Sequence, residues 1–315
     1  MARKKEEYLK EMQEKKEKAE KEEGEVEVHD LELQKAKYLS GTNTLEEAVG
    51  AYLSIKGLTT GKNIDKYLSM LRLCLAWHND VLYKKHAEET QKLIDKGGDW
   101  DRRNRFTVYN GVHYFRCRDF ENAAKSFLEA IATFTATEIF DYKRLVYYTV
   151  VSSVVSLKRN EIQSKLIDSS DIRQVIDEMP ELKAFLYAFY ECRYKDFLKH
   201  LLHVMEVIKA DFHLHIHANY YLREVRLRSY QQFLKSYLSV KLETMANEFG
   251  LSQDFLDDEL SSFISLGRLQ CKIDKVNGVV QMNRVDQRNQ HYSDIIKKGD
   301  LLLNRVQRLS RIITY

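Results

Sequence analysis

The chain has 315 residues, 44% of them hydrophobic and 31% charged, which fits a folded protein with a densely charged surface and ample material for a core. Its 50 basic and 47 acidic residues leave a net charge of only +3, which lacks the marked basic excess of a nucleic-acid-binding face. A single proline, Pro180, and 12 glycines exclude a turn-rich sheet fold and point to long helices with short connections. No apolar run approaches the roughly 20 residues of a membrane span, and the charged start MARKKEEYLKEMQEKKEKAEKEE is no signal peptide. The four cysteines, Cys74, Cys117, Cys192 and Cys271, form no CxxC pair, so the expectation is reduced thiols without a zinc or disulfide framework, in the cytoplasm and nucleus.

Residues 1–24 predict a charged N-terminal helix. Glu6–Lys10, Glu11–Lys15, Glu14–Lys18 and Glu17–Lys21 each place an acid four residues ahead of a lysine, the favourable order on an exposed helix, and Gly24 ends it. Residues 25–238 predict helical repeats. The clearest copy is Gly111-x2-Tyr114 followed by Ala123, Phe127 and Ala130, a spacing similar to that of tetratricopeptide-like hairpins. A looser copy carries Ala36, Leu39, Ala48, Tyr52 and Ile55, and a third carries Ala87 and Ile94. Small residues let the two helices of a hairpin approach, and each hairpin leaves an apolar face that only stacking can bury, so the pattern predicts a solenoid. Further helices are expected over Phe140 to Val155, as a hairpin around Pro180, and over Asn219 to Tyr237 with Leu238 among its apolar positions. The many tyrosines read as packing residues with solvated hydroxyls.

Residues 239–284 change character and predict a winged helix. SVKLETMANEFG reads as a short helix stopped by Gly250. Ser252 then opens a second helix with Phe255, Leu256, Leu260, Phe263, Ile264 and Leu266 facing the core, ended by Gly267. Leu269, Cys271 and Ile273 alternate with polar residues as a strand, Asn277-Gly278 signals a hairpin, and Val279 to Met282 supplies the return strand. The helix in the recognition position carries Asp254, Asp257, Asp258 and Glu259, which would face phosphates in a major groove, so DNA reading is excluded and protein joining is favoured. Residues 285–315 predict an assembly helix. Tyr292, Ile295, Gly299, Leu302, Val306, Leu309 and Ile313 recur at intervals of three and four, a heptad seam suited to a multi-chain bundle.

The fold class is therefore mostly α, with a TPR-like helical-repeat solenoid, a winged helix and a long C-terminal helix. That layout resembles PCI-domain proteins, scaffold subunits of the proteasome lid, the COP9 signalosome and a translation initiation factor. GGDWDRRNR (97–105), YECRY (190–194), GRLQCKIDKVN (267–277) and IKKGDLLLNRVQRLSR (296–311) resemble stretches of the PCI-type regulatory subunits of the 26S proteasome lid. The resemblance implies a non-catalytic scaffold of the 19S regulatory particle lid, acting in ubiquitin-dependent protein degradation. It implies contacts with other PCI and MPN subunits, including the lid deubiquitinase, and with the ATPase base, but with no nucleic acid and no membrane, and no metal or cofactor. It places a sheet-edge interface at Arg268, Gln270, Lys272, Asp274, Val280 and Met282, and a helical-bundle interface at Tyr292, Ile295, Leu302, Val306, Leu309 and Ile313. It departs at the start, because family members carry several helices ahead of the charged one.

Two alternatives remain at this point. One is a PCI scaffold subunit of the COP9 signalosome. The other is a metal-dependent enzyme built on His213, His215 and His217, of which the first and last could share a helix face, although no HExxH glutamate accompanies them. No phosphate loop or nucleophile elbow occurs in the sequence.

Overall fold

The structure, a computed structural model, describes residues 10–15, 25–42, 44–55, 57–283 and 287–313. Of the charged N-terminal helix only residues 10–15 are described, and they are helical; the rest of that expectation lies outside the described residues. The chain divides into two compact units, Met1–Tyr190 with Leu202–Tyr221, and Glu191–Leu201 with Leu222–Tyr315.

In the first unit three hairpins follow one another: α1 (Glu25–Thr42) with α2 (Leu45–Ser54), α3 (Thr60–Ala76) with α4 (Asp80–Asp95), and α5 (Trp100–Arg116) with α6 (Phe120–Ala130). Each helix packs on the next, and α3 also packs on α5, so the first helices of successive hairpins touch, as stacking requires. The caps are local. Asn79 accepts a hydrogen bond from the Leu82 N–H at 3.1 Å to start α4, and Asp119 accepts one from the Asn122 N–H at 3.2 Å to start α6.

The repeat signature is a steric statement. Gly111 sits directly beneath the ring of Phe127, where an added Cβ would lie 2.6 Å from Cε1. Ala123, Ala124, Phe127 and Ala130 are all buried on the facing side of α6. The same logic holds in the first hairpin, where Ala36, Val49, Tyr52 and Ile55 form one cluster with Met70 of α3.

Next come α7 (Tyr142–Ser156), a short helix α8 (Arg159–Ile162) that widens into a π-turn over Gln163–Ile167, α9 (Ser170–Ile176), α10 (Pro180–Tyr190), α11 (Tyr194–Ala210) and α12 (Ala218–Leu234). Helix α7 is buried from Leu145 to Val154. Three of its hydroxyls bond back within the helix, Thr149 donating to the Leu145 carbonyl, Ser152 to Tyr148 and Ser156 to Ser152, whereas the buried Ser153 hydroxyl has no partner. Pro180 occupies the first turn of α10, where its missing N–H costs nothing.

The tyrosines pack as expected, but their hydroxyls are not left to water. Tyr83 donates to Asn110, Tyr109 to Glu138, Tyr148 to Asp211, and Tyr147 and Tyr221 to the carbonyls of Val204 and Val151. Buried phenols need such partners, because an unpaired hydroxyl in the interior would cost about 1–3 kcal/mol. Leu238, expected with the apolar face of α12, is instead 66% exposed.

The close approach at Gly111 is directly testable. Gly111→Ala is expected to destabilise the protein by about 1–3 kcal/mol through overpacking against Phe127, read as a lower urea midpoint. Gly50→Ala, on an exposed helical position with nothing within 4 Å of its Cβ, should instead stabilise by about 0.5–1 kcal/mol.

Candidate assembly interface

The second unit carries β1 (Ser239–Lys241), α13 (Leu242–Phe249), α14 (Gln253–Ser265), β2 (Cys271–Asp274), β3 (Val279–Met282) and α15 (Gln287–Ile313). Its core joins Leu227, Tyr230, Phe233 and Leu234 of α12 with Val240, Met245, Phe249, Leu256, Leu260, Phe263, Cys271 and Val280. The two helices and the hairpin are those the sequence predicts. Strand β1 is not: Ser239 and Lys241 flank buried Val240, and the three residues pair antiparallel with Gln281, Val280 and Val279. Three residues are too few for periodicity to separate a strand from a helix start. Ser252 does stand at the N-cap of α14, but its side chain makes no capping bond.

Strand order is β1-β3-β2, so β1 and β2 are the edges and β3 is central. That corrects two of the expected edge positions. Val280 is fully buried, and Met282 pairs with Cys271 inside the sheet. Lys272 and Gln270 are exposed, on and just before edge strand β2. Asp274 faces inward on its own turn, accepting from the Val276 and Asn277 N–H groups and from the Asn277 amide, which hold its carboxyl below the usual range. Gly278 closes the hairpin at φ +61°, the left-handed region open to glycine. Arg268 is bound in a bidentate pair to buried Glu224, with contacts of 3.1 and 2.5 Å, so its charge is neutralised within the unit.

Helix α14 is acidic as read, yet two of its four carboxylates are engaged. Glu259 accepts from the Tyr230 hydroxyl at 2.7 Å and pairs with Arg226 at 2.8 Å, while Asp257 pairs with Lys275. Leu256, Leu260 and Phe263 are buried, but Phe255 and Leu266 are 42% and 60% exposed. With Val276 at the hairpin tip they add exposed apolar surface that the sequence reading assigned to the core or passed over.

Helix α15 runs 27 residues, and every residue on it whose side chain is described is exposed. The seam residues Tyr292, Ile295, Leu302, Val306, Leu309 and Ile313 are between 54% and 74% exposed, as are Ile296, Leu301 and Leu303 beside them. A stripe of that kind is the apolar half of a contact, since isolated soluble surfaces rarely leave so much apolar area contiguous.

The histidine motif does not make a site. Among the described residues, His213, His215 and His217 do not bring a ring nitrogen each to within 4.8 Å of the others. His217 donates from Nε2 to the Arg116 carbonyl and accepts at Nδ1 from Arg118, while His215 Nδ1 bonds the Asp211 and Phe212 carbonyls. Their centre is the buried Asp211, which accepts from Arg144, Tyr148 and the backbone N–H groups of His213 and Leu214. Burial alone would raise that carboxyl; these donors hold it below its ordinary value.

Comparison with known proteins matches residues 1–165 to the family 26S proteasome subunit RPN7, residues 199–284 to the PCI domain, and residues 291–313 to the 26S proteasome regulatory subunit RPN7/PSMD6 C-terminal helix. The 26S proteasome non-ATPase regulatory subunit 6 homolog of Arabidopsis thaliana is 42% identical over 98% of this chain and 80% of its own length. The regulatory subunit RPN7 of Saccharomyces cerevisiae is 34% identical over 98% of this chain and 73% of its own. The COP9 signalosome complex subunit 1 of Arabidopsis thaliana is more distant, at 25% over 61% of this chain and 44% of its own length.

The histidines predict an acid sensitivity. His213 is pushed down to about 4, chiefly by burial, and His78, His86 and His217 are also lowered, with burial first in each case. An unfolded imidazole titrates near 6.5, so the unfolded chain binds protons that the folded one refuses. The stability gained by keeping these rings neutral is whole above about pH 6.5 and is lost as pH falls towards about 4. The melting temperature should therefore fall on acidification from about pH 7.5 to 5, and His213→Asn should flatten that fall. An unchanged slope would mean that His213 takes up its proton in the fold.

Proposed function

The chain belongs to the RPN7/PSMD6 family of 26S proteasome regulatory subunits, and from that premise we propose that it is a non-catalytic scaffold of the regulatory-particle lid. The observation that carries this reading is α15, a helix with a heptad seam open to solvent along its whole described length. Burying one Leu, Ile or Val side chain completely is worth about 1.5–3 kcal/mol, so a six-residue seam supplies ample driving force for a bundle once association costs are met. The three-and-four spacing calls for helices of other chains crossing at a shallow angle.

The winged helix supplies the second contact. Edge strand β2 leaves one row of backbone donors and acceptors outside the sheet, with Lys272 on it and Gln270 beside it, and a neighbouring PCI subunit would continue the sheet there. Contacts with MPN subunits, including the lid deubiquitinase, and with the ATPase base belong to the same proposal. The signalosome alternative has less behind it, because the identity to its subunit 1 is lower and covers less of either chain.

The experiment is incorporation. A Leu302→Asp/Val306→Asp double variant should keep the wild-type melting temperature, since both positions are exposed in the free chain, yet enter the lid at least about a hundredfold less efficiently. The readout is affinity capture of the tagged chain with quantitative mass spectrometry. Normal incorporation of the variant would remove the bundle role, and wild-type capture of signalosome subunits without proteasomal ATPases would remove the lid assignment.

A further inference from the structure

We propose that Asp80, His113 and Cys117 form a binding site for a zinc-class divalent cation, which would staple the second helical hairpin to the third. These are one carboxylate, one imidazole and one thiol whose ligand atoms lie within 4.8 Å of one another, the one such cluster among the described residues. The site belongs to the first unit, and it does not depend on the assembly role.

The residues come from two elements. Asp80 is the first residue of α4, and because Asn79 already caps that helix, the Asp80 carboxylate is not needed there. His113 and Cys117 lie four apart at the end of α5, which puts imidazole and thiol on one face, as in helical zinc sites. The imidazole is 5% exposed and fixed by stacking on Tyr83, with ring centroids 4.2 Å apart and planes 17° from parallel. Its Nε2 lies 3.5 Å from Cys117 Sγ, and its Nδ1 lies 3.5 Å from Asp80 Oδ1.

The second observation is that this arrangement is not satisfied from within. His113 Nδ1 and Asp80 Oδ1 are both buried, and neither has a hydrogen-bond partner. Buried polar atoms are almost always paired, so two facing orphans point to a group between or beside them. In a tetrahedral zinc centre, bonds of about 2.0–2.3 Å set neighbouring ligand atoms about 3.3–3.7 Å apart. The separation of 3.5 Å between His113 Nδ1 and Asp80 Oδ1 already meets that spacing. One ion takes only one ring nitrogen, so with Nδ1 as that donor the side chain of exposed Cys117, at the C-cap of α5, must swing over from the Nε2 side to supply the third.

The donor set selects the ion. Mixed nitrogen, sulfur and oxygen ligands suit zinc and its neighbours, whereas calcium and magnesium call for oxygen alone. The thiol must give up its proton to the solvent when the ion binds. Arg116 works against binding, with Nη2 3.5 Å from Asp80 Oδ1. Its other nitrogen is anchored on the Leu75 carbonyl at 3.0 Å, so the guanidinium can keep that bond while the carboxylate turns to the metal.

The test uses the purified full chain, stripped of metal and titrated with Co2+. One equivalent should produce a thiolate-to-cobalt charge-transfer band in the near ultraviolet together with the visible bands of a tetrahedral ion, and Zn2+ should displace both and raise the melting temperature. Cys117→Ser should abolish the near-ultraviolet band, and Asp80→Asn should weaken binding at least about tenfold; both changes lie at accessible positions, so folding is expected to survive. His213→Asn should leave the titration unchanged. A titration without saturable binding, a thiolate band that persists in Cys117→Ser, or Asp80→Asn binding as tightly as wild type would overturn the proposal.

Discussion

An apolar helix face cannot stand in water, and that constraint organises both units of this chain. A single amphipathic hairpin buries one side and leaves the other open, so each hairpin of the first unit needs the next. The approach between helices is close only where the sequence allows it. Gly111 lets the Phe127 ring lie against the backbone of α5, and Phe115, Phe127, Phe140 and Tyr148 interlock around that point with centroids 5.1–6.1 Å apart. Such a cluster is specific because aromatic edges and faces match only in a few arrangements. Helix α15 is the same constraint left open, since its seam finds no cover among the residues described.

Polar groups follow the apolar framework and pin its register. Asp65, Asp99 and Asp101 with Arg102 and Arg105 tie α3 to the start of α5, and Glu138 adds contacts to Arg72 and Tyr109. These residues include four of the nine in the GGDWDRRNR block, which thereby has a structural role: Arg102 and Arg105 fork between carboxylates on neighbouring elements. The buried Asp211 does the same at the turn between α11 and α12, drawing Arg144, Tyr148 and two backbone amides to one point. Asp211 is acceptable in the interior because both of its carboxylate oxygens find donors.

The winged helix shows how charge separates one use of a fold from another. Its helix-turn-helix geometry is compatible with a DNA groove, but α14 offers carboxylates, two of which are bound by Arg226, Tyr230 and Lys275. What it leaves outside is an edge strand and scattered apolar side chains, Phe255, Leu266 and Val276. Backbone hydrogen bonding and apolar contact are general tools for joining proteins, whereas reading phosphates needs positive charge.

The sequence by itself determined the parts governed by neighbours along the chain. The helical periods, the alanine-aromatic repeat from Gly111 to Ala130, the Asn277-Gly278 hairpin, the acidic α14 and the seam of α15 all depend on spacings of a few residues, and all are legible without a structure. Only the tertiary structure decided what distant residues do to one another. It made β3 the central strand by adding β1, and so took Val280 and Met282 off the edge. It paired Arg268 with Glu224, gave the buried tyrosines their acceptors, held the three histidines of the 213–217 segment apart, and brought Asp80 to His113 and Cys117 from 33 and 37 residues away. The physical reason is common to all of these. Periodicity and turn chemistry record the local energy of the backbone, while partners separated by tens of residues are set by which apolar faces pack, and that choice leaves no spacing in the chain to read.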